Sequence, residues 1–200
     1  KNNLIRGIKK ASDFLMALQL TGAAKENNLA NLQVQLPAVV IGGGLTAIDT
    51  ATELLAYYPV QVLKALDKYE KLVPDMGVEN FWKIYDDEEK KIMRTFIEHG
   101  KEIREELRLA EKEGRNFDIL SLEKKWGGVT IAYRKRLLDS PAYRLNHEEI
   151  IKAFEEGISF AEKMAPLEAI ADEFGAVCEM IFERQKIAET EEEANTGKYM

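Results

Sequence analysis

Apolar positions along the chain change period several times, and each change marks an element. Ile8, Ala11, Leu15 and Leu18 recur at helical spacing, and Thr21-Gly22 supplies a stop, so a first helix is expected over Ile5–Leu20. Lys25–Gln35, with Asn27, Asn28 and Asn31, is polar and reads as a loop. Pro37 then leads into Ala38-Val39-Val40-Ile41, an unbroken apolar run that predicts a short strand buried on both faces. Beyond three glycines, Ala47, Ile48, Ala51, Leu54, Leu55 and Tyr58 share one helical face, the spacing of a helix laid on a sheet.

Val60, Leu63, Leu66 and Tyr69 to Leu72 keep a helical rhythm, with Lys64, Lys68 and Lys71 on the other side, so Val60–Leu72 is read as helix. A longer helix is expected from about Asp86 to Glu113. Its apolar stripe is Ile92, Phe96, Ile103, Leu107 and Ala110, with His99 on the same line, and Lys101/Glu105 and Glu111/Arg115 are candidate i,i+4 pairs. Gly127-Gly128 precedes Val129–Tyr133, a β-prone second strand. Asn146 with Glu149 forms the pattern of a capping box, opening a helix to about Glu156 that buries Ile150, Ile151 and Phe154 and stops at Gly157. Ile158–Met164 is the expected third strand, and Pro166–Ala171 with Ala176–Phe182 a β-hairpin. Ala188–Met200 is rich in glutamate and reads as a mobile or truncated tail.

This order predicts an α/β fold, a parallel sheet with helices plus a hairpin, over residues 1–57 and 127–200. An all-helical insertion, residues 58–126, interrupts it, with Trp82 and Trp126 as anchors of its own small core. Charged residues make up 32% of the chain and hydrophobic ones 46%, a globular balance. The net charge of −7 argues against a general nucleic-acid binder. One cysteine, Cys178, excludes an internal disulfide framework and suits a reducing cytoplasm. No apolar run reaches the length of a membrane span, and no signal peptide is visible. The first residue is Lys1 rather than Met, which reads as a piece of something longer.

Candidate chemistry sits at two places. Gly42-Gly43-Gly44-Leu45-Thr46-Ala47 fits G-x-G-x-x-A between strand and helix. Gly42 allows the tight turn, Gly44 lets the backbone approach a pyrophosphate, and Ala47 lets helix and strand pack closely. The helix start adds unpaired N–H groups and a positive dipole end. The competing reading is a tight turn that binds nothing. The second place is Arg134-Lys135-Arg136, at the tip of the second strand, where a Rossmann-like fold holds the adenosine ribose. Cations there accommodate the 2′-phosphate of NADP; the plainer reading is a solvated charge cluster. A further alternative takes Val60-Gln61-Val62-Leu63 as the second strand and Asp67 as the ribose ligand of an NAD site. Neither His99 nor His147 has companions at metal-ligand spacing.

With these residues placed, the chain resembles the NADPH-binding domain of the glutamate synthase small-subunit-like family of FAD-dependent pyridine nucleotide oxidoreductases. That family includes the matching part of dihydropyrimidine dehydrogenase. The resemblance is carried by GIKKASDFLMALQL, VVIGGGLTAIDTA, VTIAYRKR, and SPAYRLNHEEIIKAFEEGISF with its hairpin. It implies that Gly42, Gly43, Gly44, Leu45, Thr46 and Ala47 line the pyrophosphate of NADP(H). It further implies that Arg134 and Lys135 hold the 2′-phosphate, with Arg136 or Arg144 as auxiliaries. Asp49 matches a family aspartate and is expected in the helix's first turn. FAD would be bound by the remainder of a longer parent chain, with an iron–sulfur or synthase partner beyond it. No FAD fingerprint precedes the glycine turn, so the resemblance implies a module that does not turn over alone. The alternative is an assembly module with a vestigial nucleotide site, whose helical insertion docks a partner through the stripe around Ile92–Ala110.

Overall fold

The computed structural model describes residues 5–25 and 27–186. Ala188–Met200, the expected tail, lies outside the described residues. Helix α1, Ala11–Thr21, buries Phe14 and Leu18 and closes at Gly22 with φ 63°. It begins six residues later than expected. Gly7 takes φ 91°, and the Arg6 carbonyl accepts from the Val177 N–H at 2.9 Å, so this stretch follows the hairpin and leaves Ile8 outside the helix.

Strand β1, Ala38–Ile41, pairs in parallel with β2, Val129–Tyr133, which pairs in parallel with β3, Ser159–Glu162. Val40 faces Ile131 across the first pair. The two candidate segments, far apart in the chain, are therefore neighbours in one sheet of order β1-β2-β3. β3 stops before Met164 because Lys163 takes φ 60°, and Met164 opens the hairpin instead. That hairpin is β4, Met164–Ala171, against antiparallel β5, Val177–Arg184. β1 is not buried on both faces. It is an edge strand with Val40 buried, while Val39 is 47% and Ile41 51% exposed.

Helix α2, Leu45–Met76, is one element of 32 residues running through Pro59 and Pro74. The line between residues 57 and 58 thus falls inside a helix. Three short or long helices follow: α3, Val78–Lys83; α4, Asp87–Glu113; and α5, Ile119–Lys125. α4 is opened by a capping box, Asp86 with Glu89. After β2 come a 3-10 turn, Leu137–Asp139, then α6, Pro141–Leu145, and α7, His147–Glu155.

The expected box at Asn146 is not made. Its N–H caps α6 by donating to the Ala142 carbonyl, and its amide faces Glu149 at 3.5 Å without accepting from the α7 backbone. α7 buries Ile150 and Ala153 and turns Ile151 and Phe154 outward, because the face it lays on the sheet is narrow. The i,i+4 pairs are replaced as well. Glu105 pairs with Arg108, Arg115 with Glu106 and Glu113, and Arg104 with Asp67 and Glu70. Such exposed pairs contribute little to stability.

α2 supplies side chains to three cores. Ala47, Ile48, Ala51 and Leu55 pack on β1 and β2 beneath α6 and α7. Tyr57, Tyr58, Val62 and Ala65 meet Phe14 and Leu18 of α1, Phe96 and Ile103 of α4, and Trp126. Leu66 joins Phe81 and Ile97 further along, with Trp82 partly buried beside them. Trp126 therefore anchors a core shared with α1, rather than one private to residues 58–126.

Glu123 of α5 is 5% exposed, and burial pushes its carboxyl up to about 7 from an ordinary 4.5. A raised carboxyl pKa means the folded chain holds the proton more tightly than the unfolded chain. The stabilisation is full below about 4.5 and is lost as pH rises through about 7. Glu123→Gln, which stays neutral, is expected to stabilise the chain at pH 8 by on the order of 1–3 kcal/mol and to change little at pH 5. Thermal melts of both forms at the two pH values check this. An equal gain at both would place the effect elsewhere.

Candidate functional site at the carboxyl ends of the parallel strands

The glycine turn and the basic segment leave the same end of the sheet. Ile41 pairs with Ala132, and the Gly42 N–H donates to the Ala132 carbonyl at 3.0 Å. A Cβ on Gly42 would lie 3.2 Å from the Ala47 Cβ, so small residues at both positions let α2 start close behind β1. Gly44 is the N-cap of α2 and makes no side-chain cap. A Cβ added there would meet nothing within 4 Å, so the backbone is open to an approaching group. The first turn of α2 carries Leu45, Thr46 and Ala47 and no carboxylate, which leaves its positive end uncompensated. Asp49 is exposed and lies beyond that first turn, not within it as expected.

Gly43 carries a constraint that the motif does not announce. It is buried, and a Cβ there would sit 2.5–2.7 Å from the Tyr133 ring. Its carbonyl accepts from the Ala142 N–H at 3.0 Å, which ties α6 to the turn. Position 43 is free in the pattern, yet the ring at the end of β2 fills the space a side chain would need. Neighbouring strands had to be known before that contact could be seen.

Of the three cations expected to face an anion, Arg134 and Lys135 are exposed at the tip of β2. Arg136 differs. Its guanidinium grips Asp139 through two hydrogen bonds of 2.7 and 3.0 Å, and holds that carboxyl below the usual carboxylate range. Arg144 is exposed in the last turn of α6. At the end of β3, Glu162 accepts from the Leu137 N–H, and the Lys163 N–H donates to the Lys135 carbonyl at 3.0 Å.

Asp67 does not belong to this place. Val60–Leu63 is helical, and Asp67 lies about 33 Å along α2 from its start. There it pairs with Arg104. His99 accepts or shares a hydrogen bond with the buried Tyr58 hydroxyl at 2.7 Å and stacks on Trp126 at 4.2 Å. Burial lowers its pKa. His147 is exposed at the start of α7. Among the described residues, no group of three or more His, Cys, Asp or Glu is placed to hold a metal ion. A groove lined by Val78, Trp82, Lys90 and Arg94 opens at the other end of α2 and shares no residue with the glycine turn.

No helix among the described residues is long and apolar enough to cross a membrane. No protein-family model matches the chain. Over 172 residues, 86% of its length, it is 40% identical to "Uncharacterized protein RP006" of Rickettsia prowazekii (strain Madrid E), and it spans 22% of the length of that relative.

Proposed function

We propose that this chain binds NADP(H) at the carboxyl ends of β1 and β2, as the Rossmann-like, NADP(H)-binding part of a larger FAD-dependent oxidoreductase. One observation carries the reading: the glycine turn after Ile41 and the cations after Tyr133 emerge side by side from paired strands. Ligands of open α/β sheets bind outside the carboxyl ends of the strands. The open N-terminus of α2 suits a diphosphate, held by backbone N–H groups near Gly44, Leu45 and Thr46. Arg134 and Lys135 suit a phosphate on the adenosine ribose.

The bound cofactor would supply hydride chemistry, so the chain needs no catalytic side chain of its own. What its residues do is bind and orient: Gly42 and Ala47 bring helix and strand together, and the cations fix one end of the nucleotide. The flavin that would accept the hydride is proposed to lie elsewhere in a longer protein, whose length the relative illustrates. The assembly-module reading has lost its main support. Phe96, Ile103 and Ala110 are buried inside the chain's own fold, and Leu107 is the exposed member of that stripe.

Equilibrium titration of the chain with NADPH and NADH tests the proposal. NADPH is expected to bind at least about tenfold more tightly. Equal affinity, or no binding of either, overturns it.

A further inference from the structure

A third cation reaches the same end of the sheet from β3. Among the described residues, Lys163 and Gln33 are the two non-glycine residues with positive φ, and Lys163 takes 60°. Glycine would adopt that conformation without steric cost, yet the position holds a lysine. Two backbone hydrogen bonds fix it. The Lys163 N–H donates to the Lys135 carbonyl at 3.0 Å, and the Lys163 carbonyl accepts from the Gln185 N–H at 2.7 Å. The turn that ends β3 therefore sets Lys163 beside Lys135 at the tip of β2.

Each nearby carboxylate already has a hydrogen-bond partner. Asp139 is gripped by Arg136, Glu162 accepts from the Leu137 N–H, and Glu183 accepts from the Gln185 amide. Among the described residues, none of the ion pairs involves Arg134, Lys135 or Lys163. A chain of net charge −7 thus gathers three cations without a salt-bridge partner at one sheet end, where Asp139, which also feels Lys135, and Glu162 are the nearby carboxylates. Like charges held together repel unless an anion joins them.

We propose that Lys163 is a specificity-determining residue. Together with Arg134 and Lys135 it forms a three-cation seat for the dianionic phosphate on the nucleotide's ribose, separate from the diphosphate at the glycine turn. This rests on the NADP(H) reading above. A turn residue of purely structural purpose would be indifferent to loss of its charge, and better served by glycine.

The test uses the full chain with Lys163→Gln and Lys163→Gly, titrated with NADPH, NADH and 2′,5′-ADP. Both variants are expected to bind NADPH and 2′,5′-ADP about tenfold more weakly and to leave NADH affinity unchanged. Lys163→Gly is also expected to melt at a higher temperature as the backbone relaxes. Unmutated chain that prefers NADPH, with both variants keeping that preference, overturns the role of Lys163 alone. Unmutated chain with no preference for NADPH overturns this inference and the reading beneath it.

Discussion

Chain carrying Arg134→Ala and Lys135→Ala together is expected to lose most of its preference for NADPH over NADH, with Lys163 left as the one remaining cation of the proposed seat. In the proposed site each side chain would offer a charge-assisted contact to a ribose phosphate, and two such contacts amount to about 100-fold in affinity. NADH has no such phosphate, so its affinity should stay within about twofold of the unmutated chain. The fold should hardly notice. Both side chains are exposed, and no carboxylate is left buried when they are removed. Surface changes of this kind usually stay within about 0.5 kcal/mol. Parallel titrations with both nucleotides, beside a thermal melt, read all three expectations. A variant that weakens both nucleotides equally would mean that the cations attract anions in general and do not discriminate.

Gly100→Val should cause the largest loss of stability. Gly100 lies in the middle of α4, buried where that helix crosses α2. A Cβ there would stand 2.8 Å from the Val62 carbonyl oxygen and 3.0 Å from the Leu66 Cβ. The nearest obstacle is backbone, which cannot rotate away, so the two helices must separate. Overpacking of this kind typically costs about 1–3 kcal/mol, and the two methyl groups of valine put this case at the upper end. Gly100→Ala should fall between, because alanine regains about 1 kcal/mol of helix propensity. Denaturant midpoints, compared at unchanged slope, measure the difference. Unmutated stability in Gly100→Val would mean that α2 and α4 do not approach this closely.

The choice that mattered most was legible from residue types. Val129–Tyr133 is β-branched and follows two glycines, whereas Val60–Leu72 keeps its lysines on one helical side; the sheet and α2 follow that division. The hairpin was equally plain, because Asp172–Gly175 offers turn residues between two apolar runs. Boundaries set by other parts of the chain were not. The delayed start of α1 depends on Arg6 pairing with a strand some 170 residues later. The open face of β1 depends on its place at the sheet edge, and four apolar residues look the same at an edge and in the middle.

At the site, the motif marked Gly42 for a tight turn and Gly44 for an open backbone, but not that Tyr133 closes over Gly43. The three consecutive cations read alike in sequence. Only the position of Asp139, three residues on and brought back by the 3-10 turn, separates Arg136 from its neighbours. Lys163 was invisible as a candidate because nothing in its local sequence marks a left-handed residue. Glu123 was hidden for a related reason. A glutamate beside two lysines suggests solvent, and the burial comes from how α5 is seated against the rest.

The uninterrupted α2 makes a mechanical link of what pattern alone divides in two. Thirty-two residues span about 48 Å, with Gly44 at one tip and Gly77 just past the other. A tilt of about 5° at the glycine end would sweep the distant tip through about 4 Å, the width of a methyl group.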